Sequence, residues 1–126
     1  MLLIRILYIF SNFYFFIIFP DIAIGGTEYI EKGQNIEVTC NATSPSPNYE
    51  PAPSIIQWFK GSEKLESSPE SPFLISQHVV GKTLYSTLIV YKAELEHTGD
   101  YICRVPDLKA AERFKVTVLN GNNFPF

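Results

Sequence analysis

The heptapeptide HTGDYIC, residues 97–103, places a glycine, a tyrosine and a cysteine at alternate positions. A spacing of two residues is the period of a β-strand, so Tyr101 and Cys103 are expected to share the inward face while Ile102 points outward. Cys103 is one of only two cysteines in the 126-residue chain, and the other is Cys40. The stretch therefore predicts a strand whose buried face carries one of the two cysteines.

The first 25 residues differ in composition from the rest of the chain. Arg5 stands near the start, and an apolar run over residues 6–19 is ended by Pro20 and Asp21. A membrane-spanning helix needs about 20 apolar residues, whereas a basic start, a shorter apolar run and small residues at a cleavage point are typical of a secretory signal. Residues 1–25 are therefore interpreted as a signal peptide, and the protein is expected to be secreted.

Two alternatives to cleavage after Gly25 remain open. Cleavage after Ala23 would put Asp21 at a position that prefers a small residue. An uncleaved signal anchor would instead hold the protein at the cell surface, although Ser11 and Asn12 interrupt the apolar run.

Secretion decides how the two cysteines are interpreted. Thiols that enter an oxidising compartment tend to pair, so Cys40 and Cys103 are predicted to form one disulfide. A loop of this length contributes roughly 4 kcal/mol in the chain-entropy account. The histidines, His78 and His97, lack metal-ligand spacing to either cysteine or to each other, so we expect no metal and no cofactor.

The remaining sequence alternates short apolar segments with turn signals. IEVTC, SIIQWFKG, FLISQHVV, TLYSTLIVY, YICRV and RFKVTVL have strand composition, and the proline-rich NATSPSPNYEPAPS is expected to be an exposed loop. KAELEH is long enough for one helical turn. Seven or so strands in about a hundred residues predict an all-β, antiparallel two-sheet sandwich over residues 26–120, followed by a short tail at 121–126.

Four positions make the resemblance specific. Cys40, Trp58, Tyr101 and Cys103 resemble the pattern of an immunoglobulin domain, with cysteines on the second and sixth strands, a tryptophan on the third, and a tyrosine two residues before the second cysteine. The resemblance implies that the disulfide joins the two sheets, that the indole packs against it, and that the tyrosine hydroxyl binds nearby backbone. It also implies inward-facing Leu88 and Val90 and a turn at Gly99. The short interval from Trp58 to Cys103 favours the I-set type, with a constant-like topology as the alternative.

The histidine at position 97 departs from the family pattern. The family usually has an aspartate there, paired with a basic residue at the start of the fourth strand, and no Arg or Lys occurs from residue 70 through 80. Both partners of the usual ion pair are therefore missing together.

Composition and motifs exclude several function classes. The net charge is -3 and the basic residues are dispersed along the sequence, which gives no footprint for nucleic acid. No serine-hydrolase, zinc-protease or phosphate-binding motif is present, and Glu94 and Glu96 are interpreted as solvated. We therefore expect no enzymatic activity, no catalytic residue and no small-molecule substrate.

Binding through an exposed sheet face is the function that remains. Strand alternation points an aromatic, an arginine and several aliphatics outward from the third, sixth and seventh strands, which is typical of an interface core. The candidate partner-binding residues are Gln57, Phe59, Ile102, Arg104 and Lys115, with Ile55 and Thr117 beside them. The opposite sheet offers a second candidate in Tyr85, Ile89 and Tyr91.

Asn41 begins the chain's glycosylation sequon, Asn41-Ala42-Thr43. Because it precedes the proline-rich segment, we expect it at the start of an exposed loop. A glycan there would shield that end of the sandwich.

Two functional hypotheses follow from the resemblance. The first is a secreted, non-catalytic domain that recognises a cell-surface or matrix protein, similar to the small one-immunoglobulin-domain proteins of the nervous system that act in synapse organisation. The second is a cell-adhesion module similar to basigin or neuroplastin, suggested by WFKGSEKL and the segment from Leu84 to Cys103. Either one could use homophilic or heterophilic contacts between immunoglobulin domains.

Overall fold

Regular structure is almost entirely β in the part of the chain that the computed structural model describes, which comprises residues 4–10, 13–18, 21–45 and 51–121. The strands are β1 (Ile4–Phe10), β2 (Phe13–Ile18), β3 (Asp21–Gly26), β4 (Tyr29–Glu31), β5 (Ile36–Thr43), β6 (Gln57–Lys60), β7 (Glu63–Leu65), β8 (Phe73–Val80), β9 (Thr83–Val90), β10 (Gly99–Val105) and β11 (Ala110–Leu119). Single 3-10 turns cover Leu95–His97 and Pro106–Leu108. No helix in these residues is long and apolar enough to cross a bilayer.

Two sheets pack into a sandwich, which confirms the predicted fold class. One sheet has the order β3-β5-β9-β8, and the other has the order β4-β11-β10-β6-β7. β1 and β2 pair only with each other. All neighbouring strands are antiparallel except β4, which pairs with β11 in parallel. β3 and β4 divide between the two sheets, β3 beside β5 and β4 beside β11.

β3 lies inside the segment interpreted as the signal peptide. It pairs with β5 from Asp21 opposite Thr43 to Gly26 opposite Val38, and the side chain of Ile22 is 4% exposed in the core. The sheet therefore begins at residue 21, five residues before the predicted domain start at 26. At the other end β11 ends at Leu119, and residues 122–126 of the predicted tail lie outside the described residues.

Alternating burial along the strands builds the core. In β5 every second residue is buried, beginning with Ile36, Val38 and Cys40, while Glu37 and Thr39 are exposed. Leu88 and Val90 on β9 follow the same rule and have no exposed surface. Period-two patterning thus gives each sheet one apolar face, and the two apolar faces meet.

The predicted disulfide between Cys40 and Cys103 is confirmed. It joins β5 of one sheet to β10 of the other, with 6.5 Å between the two Cα atoms. Trp58 lies directly opposite Cys103 in the β6–β10 pairing and is 1% exposed. Its indole Nε1 donates a 2.8 Å hydrogen bond to Oγ of Ser86, which is also buried, so neither polar group is left without a partner.

Tyr101 fixes the turn that precedes β10. Its hydroxyl donates a 2.6 Å hydrogen bond to the carbonyl oxygen of His97, four residues upstream, and its ring is wholly buried. Gly99, predicted in the turn, is the first residue of β10 and has a positive φ of 158°, which L side chains rarely adopt. An added Cβ there would lie 3.2 Å from Cε of Lys60, whose side chain is flexible, so the backbone conformation is the main constraint.

The buried hydroxyl of Tyr101 predicts a stability loss in alkali. Burial raises the pKa of Tyr101 to about 12, from an ordinary value of 10.0. A raised pKa in the folded state means that the contribution to stability is complete below pH 10 and is lost as the pH rises towards 12. At pH 11 we expect the free energy of unfolding to have fallen by about 1.4 kcal/mol from this group alone.

Urea unfolding of the wild type and Tyr101→Phe, at pH 8 and pH 11, measures this effect. The phenylalanine variant should lose about 1 to 3 kcal/mol at pH 8, because the His97 carbonyl loses its donor. It should then lose less than the wild type between pH 8 and pH 11. Parallel losses in the two proteins would contradict the assignment.

Candidate functional site

The outward side of the five-stranded sheet brings the five predicted partner-binding residues onto one surface. Phe59 on β6 lies opposite Ile102 on β10, and Gln57 lies opposite Arg104 in the next outward row. Lys115 on β11 lies opposite Asp100. Each of these residues alternates with a buried neighbour, such as Trp58 or Cys103, so the core fixes the direction in which it points.

The centre of this surface is an apolar pair. Phe59 and Ile102 are both half-buried, and each covers the other across the strands. Gln57 is partly buried too, and its Oε1 is enclosed without a hydrogen-bond partner. Ile55 lies just before β6 and is 41% exposed, and Thr117 continues the outward row of β11. A rigid apolar centre with polar groups around it is the arrangement found in protein interfaces.

The register also adds two cations that sequence reasoning missed. Arg113 lies opposite Ile102 on one side, and Lys64 on β7 lies opposite Phe59 on the other. The signal for Arg113 was available, because it precedes Lys115 by two residues and strand alternation puts both on one side. Lys64 could not be placed, because the short edge strand β7 has no distinct pattern in the sequence.

We use the name basic face for the outward surface formed by Phe59, Ile102, Lys64, Arg104, Arg113 and Lys115. The four cations are exposed, and none has a carboxylate oxygen within ion-pair distance among the described residues. Carboxylates border this face at several points. Asp100 lies opposite Lys115, Asp107 lies in the turn directly after β10, and Glu66 follows the end of β7. Four of the ten basic residues of the chain therefore lie on one face, although the whole chain is acidic at -3. The order of basic residues along the sequence does not reveal this grouping, because it depends on the register of four strands.

The second candidate surface is the outward side of the four-stranded sheet. Tyr85 is 38% exposed, and its ring stacks on His78 of β8 with 5.2 Å between the ring centroids. Ile89 lies opposite Leu74, which is 42% exposed, and Tyr91 follows the end of β9 at 45% exposure. These apolar side chains stand among outward polar residues such as Thr39, Thr87 and Ser76.

Asn41 lies on this second surface and not in a loop. It is within β5, opposite Tyr85 on one side and Ala23 on the other. The loop expectation is wrong because β5 continues to Thr43, whose hydroxyl makes a 2.7 Å hydrogen bond with that of Thr83. The strand therefore ends at Thr43, three residues later than expected.

The acidic residues near the 3-10 turn show a structural role. The side chains of Glu94 and His97 cap the turn in both directions, with the Glu94 amide donating a 2.9 Å hydrogen bond to Nδ1 of His97. Glu94 also forms an exposed ion pair with Lys32 at 3.8 Å. These contacts account for both side chains without any catalytic arrangement.

A second polar contact lies at the opposite end of the sandwich. A carboxylate oxygen of Asp107 accepts hydrogen bonds from the Ser54 amide at 2.7 Å and from the Ser54 hydroxyl at 2.9 Å. These bonds lower the pKa of Asp107. They link the segment before β6 to the turn after β10, next to the basic face.

Comparison with known proteins gives one family and several similar structures. A model of the immunoglobulin domain matches residues 20–106. The titin M10–obscurin like 1 Ig complex is similar at a TM-score of 0.55 and 23% identity, over 80% of this chain and 95% of that chain. The complex of Dpr2 Ig1-Ig2 with DIP-Theta Ig1-Ig3 has a TM-score of 0.56 and 16% identity, over 87% of this chain and 37% of that one. The twitchin kinase region from C. elegans has a TM-score of 0.55 and 17% identity, over 79% and 16%. No curated protein sequence matches.

Proposed function

Because this chain belongs to the immunoglobulin domain family, whose members commonly mediate protein–protein contacts, we propose that it is a secreted, non-catalytic recognition domain whose basic face binds an acidic protein surface outside the cell. A cell-surface or matrix protein is the partner class, and a role in neuronal or synaptic organisation follows from the resemblance to small one-domain proteins of the nervous system. One of the similar structures is a complex between two proteins that both contain such domains, Dpr2 and DIP-Theta.

The observation that carries the proposal is the composition of the basic face. Four cations without an ion-pair partner among the described residues surround the apolar pair Phe59 and Ile102 on a surface formed by four hydrogen-bonded strands. Apolar side chains contribute affinity when a partner removes them from water, and surrounding charges direct encounter and register. A partner with carboxylates around an apolar contact would complement this surface.

Charge also selects between partners. A second copy of the chain carries a net charge of -3, but its basic face would repel an identical face. A symmetric contact through the basic face is therefore disfavoured, and a different, acidic protein fits better. A sulfated polysaccharide would also satisfy the cations, but it would leave Phe59 and Ile102 without an apolar partner.

Replacing Phe59 by aspartate tests the proposal. We expect the labelled Phe59→Asp domain to bind at least tenfold more weakly than the wild-type domain to cells that bind the wild type. The reason is that a carboxylate would replace the aromatic ring at the apolar centre. Equilibrium binding measured by flow cytometry gives the affinity, and digestion of cell-surface protein or of sulfated polysaccharide identifies the partner class.

Leu74→Asp is the matched control, because Leu74 is 42% exposed and points outward from the opposite sheet. It should bind like the wild type, and both variants should melt as the wild type does. Equal binding by Phe59→Asp and the wild type would move the site away from the basic face. Loss of binding after digestion of polysaccharide alone would contradict a protein partner.

The position of β3 supports a second candidate, a membrane-attached adhesion module. Cleavage after Gly25 would remove five of the six residues of β3, including the buried Ile22. No pair of small residues suited to cleavage precedes Asp21, so a chain that keeps β3 could also keep the apolar segment before it. Recovery in carbonate-resistant membranes with an intact N-terminus would favour this module, whereas recovery in the medium would favour the secreted protein.

A further inference from the structure

One row of side chains crosses the outward surface of the four-stranded sheet. Ala23, Asn41, Tyr85 and His78 are consecutive cross-strand neighbours on β3, β5, β9 and β8. Cross-strand neighbours have Cβ atoms about 5 Å apart. The side-chain amide of Asn41 is therefore next to the ring of Tyr85, and the methyl group of Ala23 leaves open space on its other side.

The aromatic part of this row consists of the stacked rings of Tyr85 and His78, which we call the aromatic shelf. The rings of Tyr85 and His78 stack at a centroid distance of 5.2 Å with 12° between their planes, and Tyr85 is 38% exposed. The outward neighbours of His78 along β8 are Val80, which is 59% exposed, and the exposed polar residue Ser76. The two rings and Val80 therefore form a small exposed apolar surface beside Asn41.

We propose that Asn41 carries an N-linked glycan whose first sugars lie over Tyr85 and His78 and cover this side of the sandwich. The inference rests on the proposed function, since the glycan is added only to a chain that enters the secretory pathway. Asn41-Ala42-Thr43 meets the acceptor rule. The apolar face of a pyranose ring then has an aromatic surface beside its attachment point, at the distance that the strand register sets.

The transfer is a simple exchange at one carbon atom. The amide nitrogen of Asn41 forms a bond to C1 of an oligosaccharide while the bond from that carbon to a lipid pyrophosphate breaks. The lipid pyrophosphate leaves with the bonding electrons, and the amide nitrogen gives up one proton. The transferase reaches Asn41 before β5 pairs with its neighbouring strands, because the sugar is transferred while the unfolded chain enters the secretory pathway.

A glycan at this position would divide the functions of the two sheets. It would occlude Tyr85 and its neighbours, the second candidate surface, and it would leave the basic face open on the other side of the sandwich. This surface then contributes solubility and stability, while recognition takes place on the basic face.

The test begins with the full chain expressed in mammalian cells. Release by an amidase specific for N-glycans converts a glycosylated Asn41 to aspartate, which peptide mass spectrometry detects directly. We expect full conversion in the wild type and none in Asn41→Gln. Protein that enters the secretory pathway but has an unmodified Asn41 would overturn the inference while leaving the proposed function intact. Protein that never enters that pathway would overturn both.

A second measurement tests the contact with the aromatic shelf. Removal of the glycan from the wild type should lower the midpoint of thermal unfolding by several degrees, because the shelf becomes exposed. In Tyr85→Ala the same treatment should shift the midpoint by less than half as much. Leu95→Ala is the control, since Leu95 is 46% exposed on the 3-10 turn and outside the row. An equal shift in Tyr85→Ala and the control would contradict the placement of the sugars on the shelf.

Discussion

Replacing Cys40 and Cys103 together by alanine is expected to lower the free energy of unfolding by about 4 kcal/mol. The disulfide closes a loop with a sequence separation of 63 residues and joins the two sheets. Its loss gives the unfolded chain more freedom and removes the sulfur atoms against which Trp58 packs. Domains of this size are stable by only about 5 to 15 kcal/mol, so urea unfolding should show a large fall in the midpoint and secretion should decrease.

Reduced wild-type protein provides the matched comparison. Its midpoint should fall close to that of the double variant, because both lack the same cross-link. Thiol titration of native protein should find no free thiol. Two free thiols, or a double variant as stable as the wild type, would contradict the assignment.

Removing β3 is the second change with a large expected effect. A chain that begins at Gly26 should be less stable than one that begins at Asp21 by at least about 2 kcal/mol, because it loses the burial of Ile22. It also loses the pairing that covers β5, which would become an edge strand. Both chains can be made with the same foreign leader and compared by urea unfolding.

A chain that begins at Asp21 and carries Ile22→Ala separates the loss of the buried Ile22 side chain from the loss of the pairing between β3 and β5. It should lie between the other two proteins, because it keeps the strand and loses the side chain. If the chain that begins at Gly26 were as stable as the longer one, β3 would be dispensable and cleavage after Gly25 would be compatible with the fold.

The fold could be predicted because its determinants lie on single strands. Cys40, Trp58, Tyr101 and Cys103 each occupy an inward position that period-two alternation shows in the sequence. Four residues of the basic face, Phe59, Ile102, Arg104 and Lys115, followed from the same alternation once the third, sixth and seventh strands were assigned. Arg113 obeys the same rule but was missed. Lys64 could be placed only from the pairing of β7 with β6, because no local sequence pattern reveals it.

The differences between expectation and structure have local causes too. DIAIGG is interpreted as the end of a leader because small residues suit a cleavage site, and small residues also suit a strand that packs closely on a neighbour. An added Cβ at Gly26 would lie 2.5 Å from the Glu37 carbonyl oxygen. Asn41 was assigned to a loop because the prolines follow it closely in sequence, yet pairing with β9 extends β5 past it.

The histidine at position 97 could not be explained from the sequence alone. Its ring makes an edge contact with Phe73, the first residue of β8, with 6.1 Å between the ring centroids. The family's usual ion pair between these positions is thus replaced by an aromatic contact, and the ring nitrogen caps the preceding turn. Two distant residues must be brought together before this replacement can be recognised.

Reversal of charge on the basic face tests the central claim most directly. Equilibrium binding to responsive cells should be compared for the wild type, for Arg104→Glu with Arg113→Glu, and for Lys32→Glu with Lys92→Glu, which makes the same change in net charge at exposed turns outside the face. We predict at least a tenfold loss of affinity in the first pair, and wild-type affinity in the second. Wild-type affinity in the first pair, or an equal loss in both, would contradict recognition of an acidic partner by the basic face.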